Sequence, residues 1–209
     1  METKKVWFVT GASKGLGLSL VRKLLSEGYR VVATSRNAES LVKEIGDASD
    51  AFLPLEVNLQ DDSSVKEAVE KSIAHFGQLD VIINNAGYGQ IGTLEELSDE
   101  EARENFDVNV FGSLNVIRNV MPYLRNQGSG NIFNIASQLH LDTINGNQAN
   151  DPEKAAEVLI AISKEAQPPV HLLLGNDAYD ILKNKINMIN QDAEQWKNYT
   201  LSTAYTELS

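Results

Sequence analysis

The chain has 209 residues, 42% of them hydrophobic and 22% charged, with a formal net charge of −11 and no cysteine, values that suit one globular domain with a sizeable core. Without cysteine, disulfides, thiolate catalysis and cysteine metal sites are excluded. The negative charge argues against a nucleic-acid partner, whose phosphates would be repelled.

Met1-Glu2-Thr3-Lys4-Lys5 runs straight into an apolar strand at 5–10, so no signal peptide is expected. The turn Thr10-Gly11-Ala12-Ser13-Lys14-Gly15-Leu16-Gly17 follows, and a helix over 15–27 places Leu16, Leu20 and Leu24 on one face. A strand at 30–35, a helix at 38–46 and a strand at 51–57 come next. The helix at 62–76 carries Val65, Val69, Ile73 and Phe76 as one stripe, Ser64-x-x-Glu67 reads as its capping box, and Gly77 ends it. A strand at 79–84 closes on Asn84-Asn85-Ala86-Gly87, one long helix over 98–126 contains Asn109, and a strand at 131–136 closes on Asn134-Ile135-Ala136-Ser137. A helix at 152–166, a strand at 170–174 and a helix at 176–190 complete the series. The polar stretch 191–209, with Trp196, Tyr199 and Tyr205, is expected to wrap the surface. His75, His140 and His171 lack ligand spacing, so no metal site is expected. No apolar run reaches the roughly 20 residues that span a bilayer, so no membrane partner is expected. The setting expected is the cytoplasm.

Strands alternating so regularly with helices predict an α/β fold, a doubly wound parallel sheet of the Rossmann type in three α/β/α layers. The first strand, turn and helix make a phosphate cradle. Glycines let the backbone approach closely, and the helix start aims free N–H groups and a partial positive charge at an anion. The spacing is G-x-x-x-G-x-G, not the commoner G-x-G-x-x-G.

With Asn84–Gly87, Asn109 and Ser137 added, the chain resembles the short-chain dehydrogenase/reductase family of the classical type, continuously over 4–137 and loosely over 151–205. The resemblance implies that Gly11, Ser13, Lys14, Gly15, Leu16 and Gly17 hold a cofactor pyrophosphate, and that Asn85, Ala86 and Gly87 lie on the adenosine side. It places Ser35 and Arg36 beside the adenosine ribose and Asn58 and Leu59 near the adenine. It assigns Ser137 and Asn109 to a catalytic tetrad of Asn, Ser, Tyr and Lys. The partner implied is a small carbonyl or alcohol substrate, and the assembly a homo-oligomer, dimer or tetramer.

Charge bears on the cofactor. The second strand ends in Arg36, with no acidic residue before Glu39, and Lys14 belongs to the same end of the sheet. An acidic residue there would favour NAD, whereas two cations suit a 2′-phosphate, so NADP(H) is expected. Asn58 stands where the family usually has an aspartate, and its amide oxygen still accepts a hydrogen bond.

The catalytic pattern breaks after Ser137. The family's tyrosine, about a dozen residues on, and its lysine four beyond are both wanting: position 150 is Asn150, and Lys154 has no phenol to serve. Tyr179-Asp180-Ile181-Leu182-Lys183 matches Y-x-x-x-K in letters only. It belongs to the last helix, and Ile181 and Leu182 are bulky where family members are small. Asp151-Pro152-Glu153-Lys154 resembles the start of the family's second-to-last helix. Between it and Ser137 a family member has roughly sixty to seventy residues, more than a whole βα unit. The expectation is a single dinucleotide-binding oxidoreductase domain over 1–209 with a gap near 138–141, residues of the complete protein being left out and the numbering closed up. A true deletion is the alternative, and it would expose apolar surface at heavy cost. From another class comes an inactive dinucleotide-binding sensor or scaffold.

Overall fold

A computed structural model describes residues 4–90, 92–93, 95–136 and 151–202. Five strands, β1 (Val6–Val9), β2 (Arg30–Ser35), β3 (Phe52–Glu56), β4 (Val81–Asn84) and β5 (Asn131–Asn134), form one sheet in the order β3-β2-β1-β4-β5. Every pairing is parallel. The helices are α1 (Gly15–Ser26), α2 (Ala38–Ile45), α3 (Asp62–Phe76), α4 (Asp99–Phe106), α5 (Gly112–Gln127), α6 (Pro152–Ile162), α7 (Asn176–Gln195) and α8 (Lys197–Leu201), with a π-turn, Asp107–Phe111, joining α4 to α5. Residues 4–136 and 151–168 make one compact unit and 169–202 a second.

Strand alternation sends successive side chains to opposite faces. Val6 and Phe8 of β1, Val32 of β2 and Ile82 of β4 join Val65 and Val69 of α3 and Val116 and Val120 of α5 in one buried core. Trp7, Val9, Val31, Ala33, Val81 and Ile83 are equally buried and turn the other way. There α1 packs on α6, and Leu20 and Leu24 of α1 and Leu159 and Ile160 of α6 are buried. The Lys23–Glu157 ion pair, 2.9 Å long, and a bond from the Lys5 ammonium to the Ser163 carbonyl tie α6 down. This is the three-layer, doubly wound architecture expected.

Four local expectations are corrected. The N-cap of α3 is Asp61, whose carboxylate accepts from the Ser63 N–H at 2.9 Å. Ser64 lies inside α3, past its start, and its hydroxyl accepts from the Asn58 N–H at 3.1 Å. The helix expected over 98–126 is broken by the π-turn into α4 and α5. Residues 170–174 carry no strand, and Val170 is 93% exposed. A parallel strand needs a neighbour beside it, and β5 pairs only with β4 among the described residues. The last helix, expected over 176–190, runs on to Gln195, and α8 follows as far as Leu201.

Candidate dinucleotide site

The site begins where β1 stops. Thr10 is buried directly after β1, and its hydroxyl accepts from the backbone N–H groups of Asn85 and Ala86, each at 3.0 Å, while donating to the Ile83 carbonyl at 3.3 Å. The Asn85 amide returns two bonds, to the carbonyls of Thr10 and Gly11, both at 3.1 Å. The glycine turn and the Asn85–Gly87 segment are thereby held edge to edge. They approach so closely that a Cβ on Gly11, whose φ is +64°, would lie 2.7 Å from the Ala86 Cα. A Cβ on Gly17 would lie 2.5 Å from the Gly11 carbonyl oxygen and 2.6 Å from the Asn85 amide nitrogen. Gly17 is thus required by the packing of the turn itself as well as by any ligand over it, so a Val there disturbs the local fold too.

Above this joint stands the start of α1. Its N-cap, Lys14, makes no side-chain capping bond, whereas α2, α3, α4 and α6 are capped by Asn37, Asp61, Ser98 and Asp151. The first intrahelical bond here is Leu18 N–H to the Lys14 carbonyl. The amides of Gly15, Leu16 and Gly17 come before it, and such donors suit an anion. Ser13 and Leu16 are half-buried beside them, and Lys14 is exposed.

On the β2 side, the Ser35 hydroxyl lies 3.3 Å from that of Ser40, and Arg36 is exposed. The Asn58 amide oxygen accepts from the Gln60 N–H at 3.2 Å. The Leu59 carbonyl accepts from the Asn115 amide at 2.9 Å, and its side chain meets Gly112, where a Cβ would lie 3.0 Å away. Beyond β4, Tyr88 faces Arg36 electrostatically. Burial first, then the Glu104 carboxylate, pushes its phenol up, and the Arg36 cation pulls it back down.

Asn109 lies in the π-turn. Its Oδ1 accepts from the Tyr88 N–H at 3.0 Å, and its Nδ2 donates to the Tyr88 carbonyl at 2.8 Å. At the ends of β4 and β5, the Asn84 amide donates to the Asn134 Oδ1 at 2.9 Å. The Asn84 Oδ1 is buried without a partner. Ser137, and Asn150 thirteen residues on, lie outside the described residues; Lys154 is exposed on α6. Tyr179 and Lys183 sit on α7, the ammonium 5.5 Å from the ring centre, with the tyrosine 54% exposed. Thr10 and Asn105 are the residues that sequence reasoning missed. Thr10 had a signal, its place at the very end of the first strand ahead of the glycines; Asn105 had none.

A parallel sheet in this order, with a glycine turn and an uncapped helix start at its central strand, defines a dinucleotide-binding protein. The chain belongs to the short chain dehydrogenase family, whose model matches residues 5–171. It is similar to the oxidoreductase BOA17 of Botryotinia fuckeliana, with 24% identity over 272 aligned positions covering 96% of this chain and 99% of that protein. Since 96% of 209 residues is about 201, about 71 aligned positions of BOA17 have no counterpart in this chain. The 3-oxoacyl-(acyl-carrier-protein) reductase FabG of Thermotoga maritima is 35% identical over 136 residues, 64% of this chain and 55% of that protein. A short-chain dehydrogenase from Streptomyces avermitilis has the same fold, with a TM-score of 0.89 over 97% of this chain and 100% of that one at 23% identity.

Proposed function

We propose that this family member is an NADP(H)-dependent oxidoreductase acting on a small carbonyl or alcohol. The observation that carries the reading is the close joint between the glycine turn and Asn85–Gly87 beneath an uncapped helix start. The Gly15–Gly17 amides bind the pyrophosphate, and Arg36 and Lys14 neutralise the 2′-phosphate. Asn58 accepts from the adenine amino group, and Asn85–Gly87 border the adenosine. When bound, the dinucleotide supplies or takes up the hydride. Ser137 holds the substrate oxygen. That oxygen also gains or loses a proton, and neither Ser137 nor Asn109 titrates near neutral pH. A tyrosine with a lysine four residues on belongs to a block missing near 138–141, a reading supported by the aligned positions of BOA17 that find no counterpart here. With that block restored, 1–209 is one domain. The setting is cytoplasmic, and exposed Phe106, Phe111 and Leu114 support a homo-oligomer.

The test is calorimetric titration with NADPH and NADH, followed by NADPH consumption with a generic carbonyl substrate. NADPH is expected to bind more tightly, and equal affinities sink the cofactor assignment. Binding without turnover, in a protein whose intact mass is 23.0 kDa, leaves the inactive sensor or scaffold in its place.

A further inference from the structure

The Asn109 carboxamide lies against the Tyr88 peptide as a neighbouring strand would, accepting from its N–H and donating to its carbonyl. Its second amide hydrogen goes to the Asn105 Oδ1 at 3.2 Å. Asn105 in turn donates from its own Nδ2 to the same Tyr88 carbonyl at 2.9 Å. Both hydrogens of Asn109 and both lone pairs of the Tyr88 carbonyl are therefore occupied. Rotation of the Asn109 amide would break the contact with Asn105 as well as both contacts with Tyr88. The space confirms how tight the clamp is, since a Cβ on Gly87 would lie 2.9 Å from the Asn109 Oδ1.

We infer that Asn105 is a positioning residue, which fixes the Gly87–Tyr88 backbone by locking Asn109 and by holding the Tyr88 carbonyl directly. The inference rests on the proposed function only where it connects that backbone to the dinucleotide. Asn105 sits four residues before Asn109, the spacing that brings side chains together along one helix face. Its role requires an amide, an acceptor for Asn109 and a donor for Tyr88. An aspartate has the same shape and keeps the acceptor, but it turns a carboxylate oxygen toward the Tyr88 carbonyl in place of a donor.

The experiment compares Asn105→Asp and Asn105→Ala with the unaltered protein by amide hydrogen exchange resolved at Tyr88. Core amides such as Val9 and Ile83 serve as controls, and NADPH affinity is measured on the same samples. Both variants are expected to speed exchange at Tyr88 by about tenfold or more and leave the controls unchanged. The NADPH dissociation constant is expected to rise by about fivefold or more. If Asn105→Asp exchanges like the unaltered protein at Tyr88, the side chain only fills space and the inference is overturned. It is equally overturned if the control amides lose protection in step with Tyr88 in both variants. Should Tyr88 loosen while NADPH affinity holds, the segment is clamped but does not serve the cofactor, which overturns the connection. If the unaltered protein binds no NADPH at all, the proposed function fails, and exchange at Tyr88 still decides the role of Asn105.

Discussion

Thr10 connects two segments that lie 75 positions apart in the chain with a single hydroxyl. Thr10→Val keeps the shape and leaves two N–H groups and a carbonyl without that partner. Its expected cost is about 1–3 kcal/mol, read as a lower urea midpoint at unchanged slope. Arg36 is an exposed cation at the end of β2, and each charge-assisted bond to a phosphate contributes about 1.5–3 kcal/mol. Arg36→Asp is therefore expected to reverse the preference for NADPH over NADH by at least about an order of magnitude in calorimetric titration. Gly17→Val is expected to abolish NADPH binding and also lower the melting temperature, since the added carbons meet the Gly11 carbonyl and the Asn85 amide. An unchanged melting temperature and affinity would show that the turn has room to spare. The glycines of this site were legible in the sequence because their spacing is dictated by close backbone contact. Asn105 was not, because its bond reaches a backbone group 17 residues away, which no local pattern encodes, and Thr10 showed only its place ahead of the glycines, not its bonds to groups 75 residues on.

The boundaries of α3, expected at 62–76, follow from its apolar stripe and from Gly77, and the helix spans Asp62–Phe76. The helix around Asn109 departs from its expected course, since Phe106, Val110 and Leu114 keep a helical interval and hide the wider turn between α4 and α5. The capping box was sought at Ser64 and Glu67 but is found at Ser98 and Glu101. Both places offer a hydroxyl residue with Glu three positions on, but Ser64 lies inside α3 behind its Asp61 cap, whereas Ser98 directly precedes α4. The Ser98 N–H and hydroxyl hold the Glu101 carboxyl below the usual glutamate value. The folded group thus titrates lower than the unfolded one, so the box contributes above the ordinary glutamate range and its contribution is lost as pH falls through the lowered value. Ser98→Ala is expected to return Glu101 toward ordinary behaviour, seen as an upward shift of its carboxyl titration by NMR, with fraying of the first turn of α4.

At the scale of the molecule, the sheet runs from β3 to β5 among the described residues. No strand forms at 170–174 because its apolar run finds no neighbour to pair with among the described residues. The proposed missing block accounts for both that lone run and the lack of a proton relay. Protein from its natural source is then expected to have a mass well above 23.0 kDa. In that protein Ser137→Ala is expected to lower turnover with a generic carbonyl by about 10²-fold or more, and Tyr179→Phe to leave it nearly intact. Loss of turnover in Tyr179→Phe at a mass of 23.0 kDa would instead make the pair on α7 the relay.

The central position of β1 has a consequence for how the protein is made. β1 leaves the ribosome before either of its partners, β2, which follows shortly, and β4, whose Ile83 comes 74 residues after Val9. At about 5–20 residues per second, translation leaves one side of the most buried strand without its permanent neighbour for about 4–15 s. Throughout that interval Trp7, Phe8 and Val9 have no finished core to enter, so the time before β4 emerges is the stage at which a chaperone has most to hold.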